Sequence, residues 1–155
     1  MTQIQFWQIG KETRDFTHRL QEYQKRINVY FSFNVVYLNP VKKSTRPEAM
    51  KKTEADSILS RVKEGDYLIL LDEQGQVFDS RGFASFIEKK LEFPAKRLIF
   101  LCGGAYGFDE SVYKTAKAQI CLSKMTFSHQ LIGLIFMEQL FRAFSIIHNH
   151  PYHND

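Results

Sequence analysis

Residues 67–71 and 98–102 are apolar at every position. A strand with one wet face alternates apolar and polar side chains, so strands greasy on both faces must be covered on both. Further strand-like runs occur at residues 4–9, 31–38 and 120–122, the second alternating at Phe31, Phe33, Val35 and Tyr37 as expected for a sheet position open on one face. Between the strands lie stripes at helical spacing: Phe16, Leu20, Tyr23 and Ile27, then Ala55, Ile58, Leu59 and Val62, then Phe83, Phe86, Ile87 and Leu91. A last helix is expected from about Ser128 to about Ile147, apolar at Leu131, Leu134, Ile135, Leu140, Phe141 and Phe144. Strands alternating with helices from end to end predict an α/β fold, a mostly parallel sheet flanked by helices. Ligands of such sheets bind beyond the carboxyl ends of the strands.

A chain of 155 residues can bury a core without metal or disulfide staples, and it has no repeat or Gly/Ser linker, so residues 1–155 are expected to form a single domain. With 44% hydrophobic and 25% charged residues it is neither disordered nor fibrous. Its apolar runs fall short of the roughly 18 residues of a membrane span, and no basic leader opens the chain. Cys102 and Cys121, in no paired pattern, fit a reducing cytosol. A cytoplasmic protein is therefore expected. The net charge of +4 biases it toward anionic partners. Five basic residues, Lys42, Lys43, Arg46, Lys51 and Lys52, stand against the one acid Glu48 in residues 42–52, where a plainly solvated face is the alternative. The last 35 residues hold four of the five histidines.

The three loops after the third, fourth and fifth strands are unusual. Asp72, Glu73, Gln74 and Gly75 follow the third, where acids can simply cap a turn. Gly103, Gly104 and Gly107 follow the fourth, letting the backbone take positive φ and approach a ligand, though in neither a dinucleotide nor a Walker spacing. Residues 123–129 follow the fifth, where Ser128 or Thr126 can cap the last helix and His129 is either a base or a surface residue. The histidines of the tail, His148, His150 and His153, lack an acid or cysteine to complete a metal site, so no metal is expected.

Taken together these strings are specific. Leu-Leu-Asp-Glu-x-Gly at 70–75, Gly-Gly-x-x-Gly at 103–107, Leu-Ser-Lys-Met-Thr-Phe-Ser-His-Gln at 122–130, Glu-Gln-Leu-Phe-Arg-Ala at 138–143 and His-Pro-Tyr-His at 150–153 occur in that order. The chain resembles the ribosomal RNA large subunit methyltransferase H (RlmH) family of the SPOUT superfamily along its whole length. The resemblance implies a C-terminal trefoil knot, a homodimer and S-adenosylmethionine as methyl donor. It also implies methylation at N3 of a pseudouridine in helix 69 of 23S rRNA on the assembled ribosome. Carried over by motif, Leu71, Gly103, Gly104, Ser123, Lys124, Met125, Thr126, Phe127 and Ser128 would form the cofactor pocket. The acceptor nitrogen carries an imide proton, so a base is needed, and His129 and His153 are the candidates.

Candidate RNA contacts are Lys42, Lys43, Arg46, Lys51 and Lys52, with Arg142, His150 and Tyr152. The Tyr152 ring in particular is expected to offer a platform for a base. The last helix has more apolar surface than one small sheet can cover, so the dimer is expected to pack through a face bearing Phe136, Leu140 and Phe144. Ala105, Gly133 and Asn154 depart from the commonest family pattern, in which proline, arginine and a basic residue stand. The arginine would offer a phosphate or dimer contact on the last helix. Two other functions fit a chain of this kind: a non-catalytic RNA-binding α/β module, and a flavodoxin-like protein that uses the glycine turn for a phosphate.

Overall fold

The computed structural model describes residues 2–11, 13–42, 46–103 and 106–154. Strands β1 (Gln3–Ile9), β2 (Phe33–Leu38), β3 (Asp66–Val77), β4 (Arg97–Cys102) and β5 (Ala118–Cys121) alternate with helices α1 (Arg14–Asn28), α2 (Pro47–Leu59), α3 (Ser80–Leu91), α4 (Glu110–Thr115) and α5 (His129–Ile147). The strands form one sheet in the order β2-β1-β4-β3-β5, and every pairing is parallel. β1, β4 and β3 are interior, and the all-apolar stretches 68–71 of β3 and 98–102 of β4 are buried on both faces, as is most of β1.

Side chains alternate between two cores. Ile4, Phe6, Leu98, Phe100, Ile69 and Leu71 meet α1, α3 and α5 on one face. Trp7, Ile99, Leu101, Leu68 and Leu70 meet α2 and α4 on the other. Local signals start the helices where the chain needs them. Asp79, Asp109 and Ser128 cap α3, α4 and α5 by accepting backbone N–H bonds, and Pro47 opens α2.

Four findings revise the sequence expectations. β3 does not stop at Leu71 but runs to Val77, and both Leu71 and Gln76 lie opposite Ile120 of β5. Residues 72–75 therefore swing out of the ladder and return. Gly75 permits the return, since a Cβ there would sit 2.5 Å from the Ile120 backbone nitrogen. The short helix α4 has too few apolar repeats to be legible. Phe136, Leu140 and Phe144 do not form an outer face; they are 0%, 0% and 1% exposed, in the protein's own core. Gly133 is not a vacated surface contact either. It is buried, and a Cβ there would stand 2.7 Å from Gln8 Oε1 of β1 and 3.3 Å from the Phe6 ring.

α5 is long and apolar enough to cross a bilayer by length and composition, with mean hydropathy 1.4. It instead packs on α1, α3 and β4 as a core helix.

Candidate functional site

β3 and β4 hand the chain to opposite faces of the sheet: β3 leads to α3 on the α5 side, and β4 leads to α4 on the other. Such a divergence opens a crevice at the carboxyl ends of the strands. A cleft of about 670 Å³ lies there, of the size that takes small ligands. Leu71, Cys102 and Phe108 contribute buried apolar surface, and the backbone at Gly103 and Gly107 borders it. Gly107 has φ +76°, and a Cβ there would meet nothing within 4 Å, so the chain turns with open space beside it. Asp72, Glu73, Gln74, Thr126, Phe127, Ser128 and His129 complete the lining.

The walls are tied to one another by side chains. Asp72 accepts a short hydrogen bond from the Tyr113 hydroxyl of α4, and its other oxygen accepts from the Gln74 N–H at 2.8 Å. Burial first, then the Asp72 carboxylate, push the Tyr113 phenol up to about 12, so the hydroxyl remains a donor. Glu73 Oε1 accepts from the Thr126 hydroxyl at 2.8 Å, and the Lys124 ammonium donates to the Glu73 carbonyl at 3.3 Å. The Met125 N–H donates to Ser123 Oγ at 3.0 Å. The swing of residues 72–75 is thus buttressed by α4 on one side and by the loop after β5 on the other. Burial, with help from Glu54, pushes the Cys102 thiol up to about 12, so this cleft residue carries no thiolate chemistry at neutral pH.

Among the expected pocket residues, Leu71, Gly103, Thr126, Phe127 and Ser128 line the cleft, and His129 stands with them in the first turn of α5. Ser123, Lys124 and Met125 belong to the same loop without lining the cleft. Gly104, Ala105 and Lys43 lie outside the described residues. Lys42, Arg46 and Lys52 are exposed, while Lys51 is partly buried and pairs with Glu48 at 3.9 Å. Helix α2, which carries Lys51 and Lys52, packs on α4. Lys51 and Lys52 reinforce the Ser111 hydroxyl and amide in holding the Asp109 carboxyl below its usual range. Lys51 and Lys52 therefore lie on the side of the cleft that carries Asp109 and the turn at Gly107.

The tail lies elsewhere. Tyr152 is not an open platform: its ring meets Phe141 edge-on at 4.7 Å, Arg142 lies over it at 4.7 Å, and its hydroxyl donates to Glu138 at 3.2 Å. Arg142 also grips Glu138 at 2.5 Å and donates to His153 Nδ1 at 3.1 Å, an arrangement that leaves the ring hydrogen on Nε2. His150 Nδ1 bonds the Tyr30 hydroxyl at 2.5 Å. Arg142 is 13 residues beyond His129 on α5, roughly 20 Å away along the helix, so one chain does not bring His129 and His153 together. Among the described residues no group of three His, Cys, Asp or Glu side chains converges as a metal site would require.

A parallel α/β sheet with its cleft at the carboxyl ends of β3, β4 and β5 narrows the chain to ligand-binding folds of this class. The chain belongs to the SPOUT methyltransferase family, whose model, described as "Predicted SPOUT methyltransferase", matches residues 2–153. It is 45% identical over 150 residues to Ribosomal RNA large subunit methyltransferase H of Parabacteroides distasonis, covering 95% of this chain and 96% of that one. The proteins of the same name from Christiangramia forsetii (43%; 94% and 95% covered) and Cytophaga hutchinsonii (43%; 97% and 99% covered) are similar to it as well.

Proposed function

We propose that this chain methylates N3 of a pseudouridine in helix 69 of 23S rRNA on the assembled ribosome, using S-adenosylmethionine, as a cytoplasmic homodimer with a knotted C-terminal half. The observation that carries this reading is the cleft formed by the loops after β3, β4 and β5, in a chain that matches its family and relatives almost end to end.

The residues present suit the cofactor. Leu71, Phe108 and Phe127 give an apolar slot for an adenine ring, and the glycine turn lets main chain approach it. Asp72 and Glu73 give one wall a negative character that suits a sulfonium and an ammonium group. Gly104, Ser123, Lys124, Met125, Thr126 and Ser128 would complete the holding loops. When bound, the cofactor supplies an electrophilic methyl group on a positively charged sulfur. Because net charge shrinks as that group moves, the task of these residues is to align donor and acceptor and to exclude water. His129, exposed at the lip of the cleft, would accept the imide proton. His153 would serve only from a second chain, its own cleft being too far.

Two further features favour a dimer and an RNA substrate. Only 39% of the apolar stretch of α5 is buried, and Leu131, Leu134 and Ile135 floor a groove against α1 flanked by Arg19, Arg26, Glu22 and Glu138. A self-complementary partner would cover that apolar floor and match both charges. Lys42, Lys43, Arg46, Lys51 and Lys52, with Arg142 of α5 and His150 of the tail, would meet phosphate groups, Tyr152 holding the Arg142 guanidinium in place. The test is to incubate labelled S-adenosylmethionine with ribosomes lacking the modification and to map the methylated nucleotide. Label at the helix 69 pseudouridine is expected; no transfer to ribosomal RNA would overturn the reading.

A further inference from the structure

The target base needs a flat surface at the mouth of the cleft, and the tail ring of Tyr152 is already taken by Phe141 and Arg142. Large apolar side chains are exposed on both loops that frame the cleft. Tyr106, 55% exposed, is next in sequence to the lining residue Gly107, and Met125, 73% exposed, is next to the lining residue Thr126. The positive φ of Gly107 turns the chain sharply at that point, so the residue before it projects from the turn instead of folding into the core behind Phe108. Exposing an aromatic ring to water costs free energy that a binding partner can recover.

The surroundings point to the partner's chemistry. Three residues after Tyr106, Asp109 caps α4, against which α2 packs with exposed Lys52 and, just before it, exposed Arg46. Lys124, also exposed, precedes Met125 on the opposite loop. An exposed ring at a cleft whose neighbouring elements carry exposed ammonium and guanidinium groups is a pattern that takes a splayed-out base, the ring stacking on it and the cations drawing in the phosphates.

We propose that Tyr106 is the stacking platform for the base to be methylated, with Met125 as the soft apolar contact on the facing loop. The proposal rests on the ribosomal RNA reading above and deepens it by assigning a substrate-positioning residue. The ring carries the effect, and the hydroxyl is dispensable.

Wild type, Tyr106→Ala, Tyr106→Phe and Tyr106→Trp separate the possibilities. In steady-state methylation of undermodified ribosomes, Tyr106→Ala is expected to lower kcat/KM roughly 5- to 150-fold, mainly through KM, as befits the loss of one base stack. Tyr106→Phe should stay within about twofold of wild type, and calorimetric affinity for S-adenosylmethionine should be unchanged in both. Trp7, the one native tryptophan, is 1% exposed and out of reach of a bound partner, so the difference in emission between the Tyr106→Trp protein and wild type reports the new indole. That emission should be quenched when undermodified ribosomes are added. Full activity of Tyr106→Ala would overturn the proposal. So would equal damage from Tyr106→Phe, or cofactor affinity falling in step with activity. A wild-type protein that transfers no methyl group to ribosomes would instead overturn the ribosomal RNA reading itself.

Discussion

At the amino ends of β3 and β4, Asp66 and Arg97 are locked to each other. Asp66 accepts two bonds from Arg97, at 2.5 and 2.8 Å, and one from the Lys63 N–H at 2.7 Å, while the guanidinium lies 5.5 Å from the Trp7 ring centre. Lys90 sits among Tyr67, Phe86 and Phe93 nearby, 4.8 to 5.5 Å from each ring centre. At the carboxyl ends of the same strands the polar groups are held at one point and left open at another. Thr126 and Glu73 bond each other yet both remain exposed, and His129 is exposed in the first turn of α5. Among the described residues, the buried side-chain polar atoms without a partner are those of Gln8, and Gln8 lies at this end, level with Cys102 and Leu71. The same parallel sheet thus has one end that closes its polar bonds for stability and one that keeps them available for a ligand.

Breaking the closed end should have the largest effect. Asp66 is 1% exposed in its side chain, and Asp66→Asn would turn an amide N–H₂ toward Lys63 and Arg97, which are both donors. A loss of about 3 kcal/mol is expected in chemical denaturation, with S-adenosylmethionine affinity retained. Burial pushes the Asp66 carboxyl up, but the bonds from Arg97 and Lys63 outweigh it and hold it below its ordinary value of 3.8. Its contribution is therefore complete above about pH 3.8 and fades as the pH falls below that. Wild type and variant should accordingly converge in stability in that acid range. A variant as stable as wild type at neutral pH would show that this end is not the anchor.

The second test concerns the strained point at the open end. Adding a methyl group in Gly133→Ala forces the new carbon against Gln8 Oε1; no hydrogen bond holds that side chain, but at 0% exposure it has little room to shift, and about 1 kcal/mol should be lost. In a Gln8→Ala background the 2.7 Å clash disappears and only the 3.3 Å contact with the Phe6 ring remains, so the same substitution should cost clearly less, the more so since alanine is the stronger helix former. Gln8→Met, which removes both unpartnered polar atoms, should raise the denaturation midpoint. If Gly133→Ala costs the same in both backgrounds, the two residues are not coupled.

Periodicity revealed what repeats and missed what depends on contacts between distant residues. The all-apolar β3 and β4, the stripes of α1 and α3, and the cap at Ser128 are local patterns, and they were visible in the chain. The continuation of β3 past Leu71 was not, because residues 72–75 carry turn chemistry and the pairing that resumes at Gln76 is decided by β5. The packing of Tyr152 was hidden for a similar reason: a Pro-Tyr turn in a polar tail looks exposed until Phe141 and Arg142 fold onto it. Likewise Phe136, Leu140 and Phe144 looked like spare apolar surface on α5, because nothing in the helix itself says which side meets the sheet. The loops that frame the cleft were legible as motifs. The brace that joins them was not: Asp72 and Tyr113 are 41 residues apart and share no local signal.

That brace gives a small effect on stability and the sharpest test of the contrast between the two ends. Tyr113→Phe removes a hydroxyl and leaves the ring, which still packs edge-on to Phe108 at 5.7 Å. About 1 kcal/mol of stability should be lost, the worth of one hydrogen bond. Asp72, however, loses the donor that fixes its carboxylate at the wall of the cleft. S-adenosylmethionine affinity measured by calorimetry should fall several-fold, in contrast to Asp66→Asn, where stability falls and affinity does not. Because the phenol is raised from 10.0 to about 12, the bond contributes fully below about pH 10 and is lost as the pH rises through 12. The gap between wild type and Tyr113→Phe should therefore be flat from neutral pH to about pH 10 and narrow above it. If Tyr113→Phe binds the cofactor as wild type does, α4 supports the fold alone, and the open end is positioned by the Glu73–Thr126 contact instead.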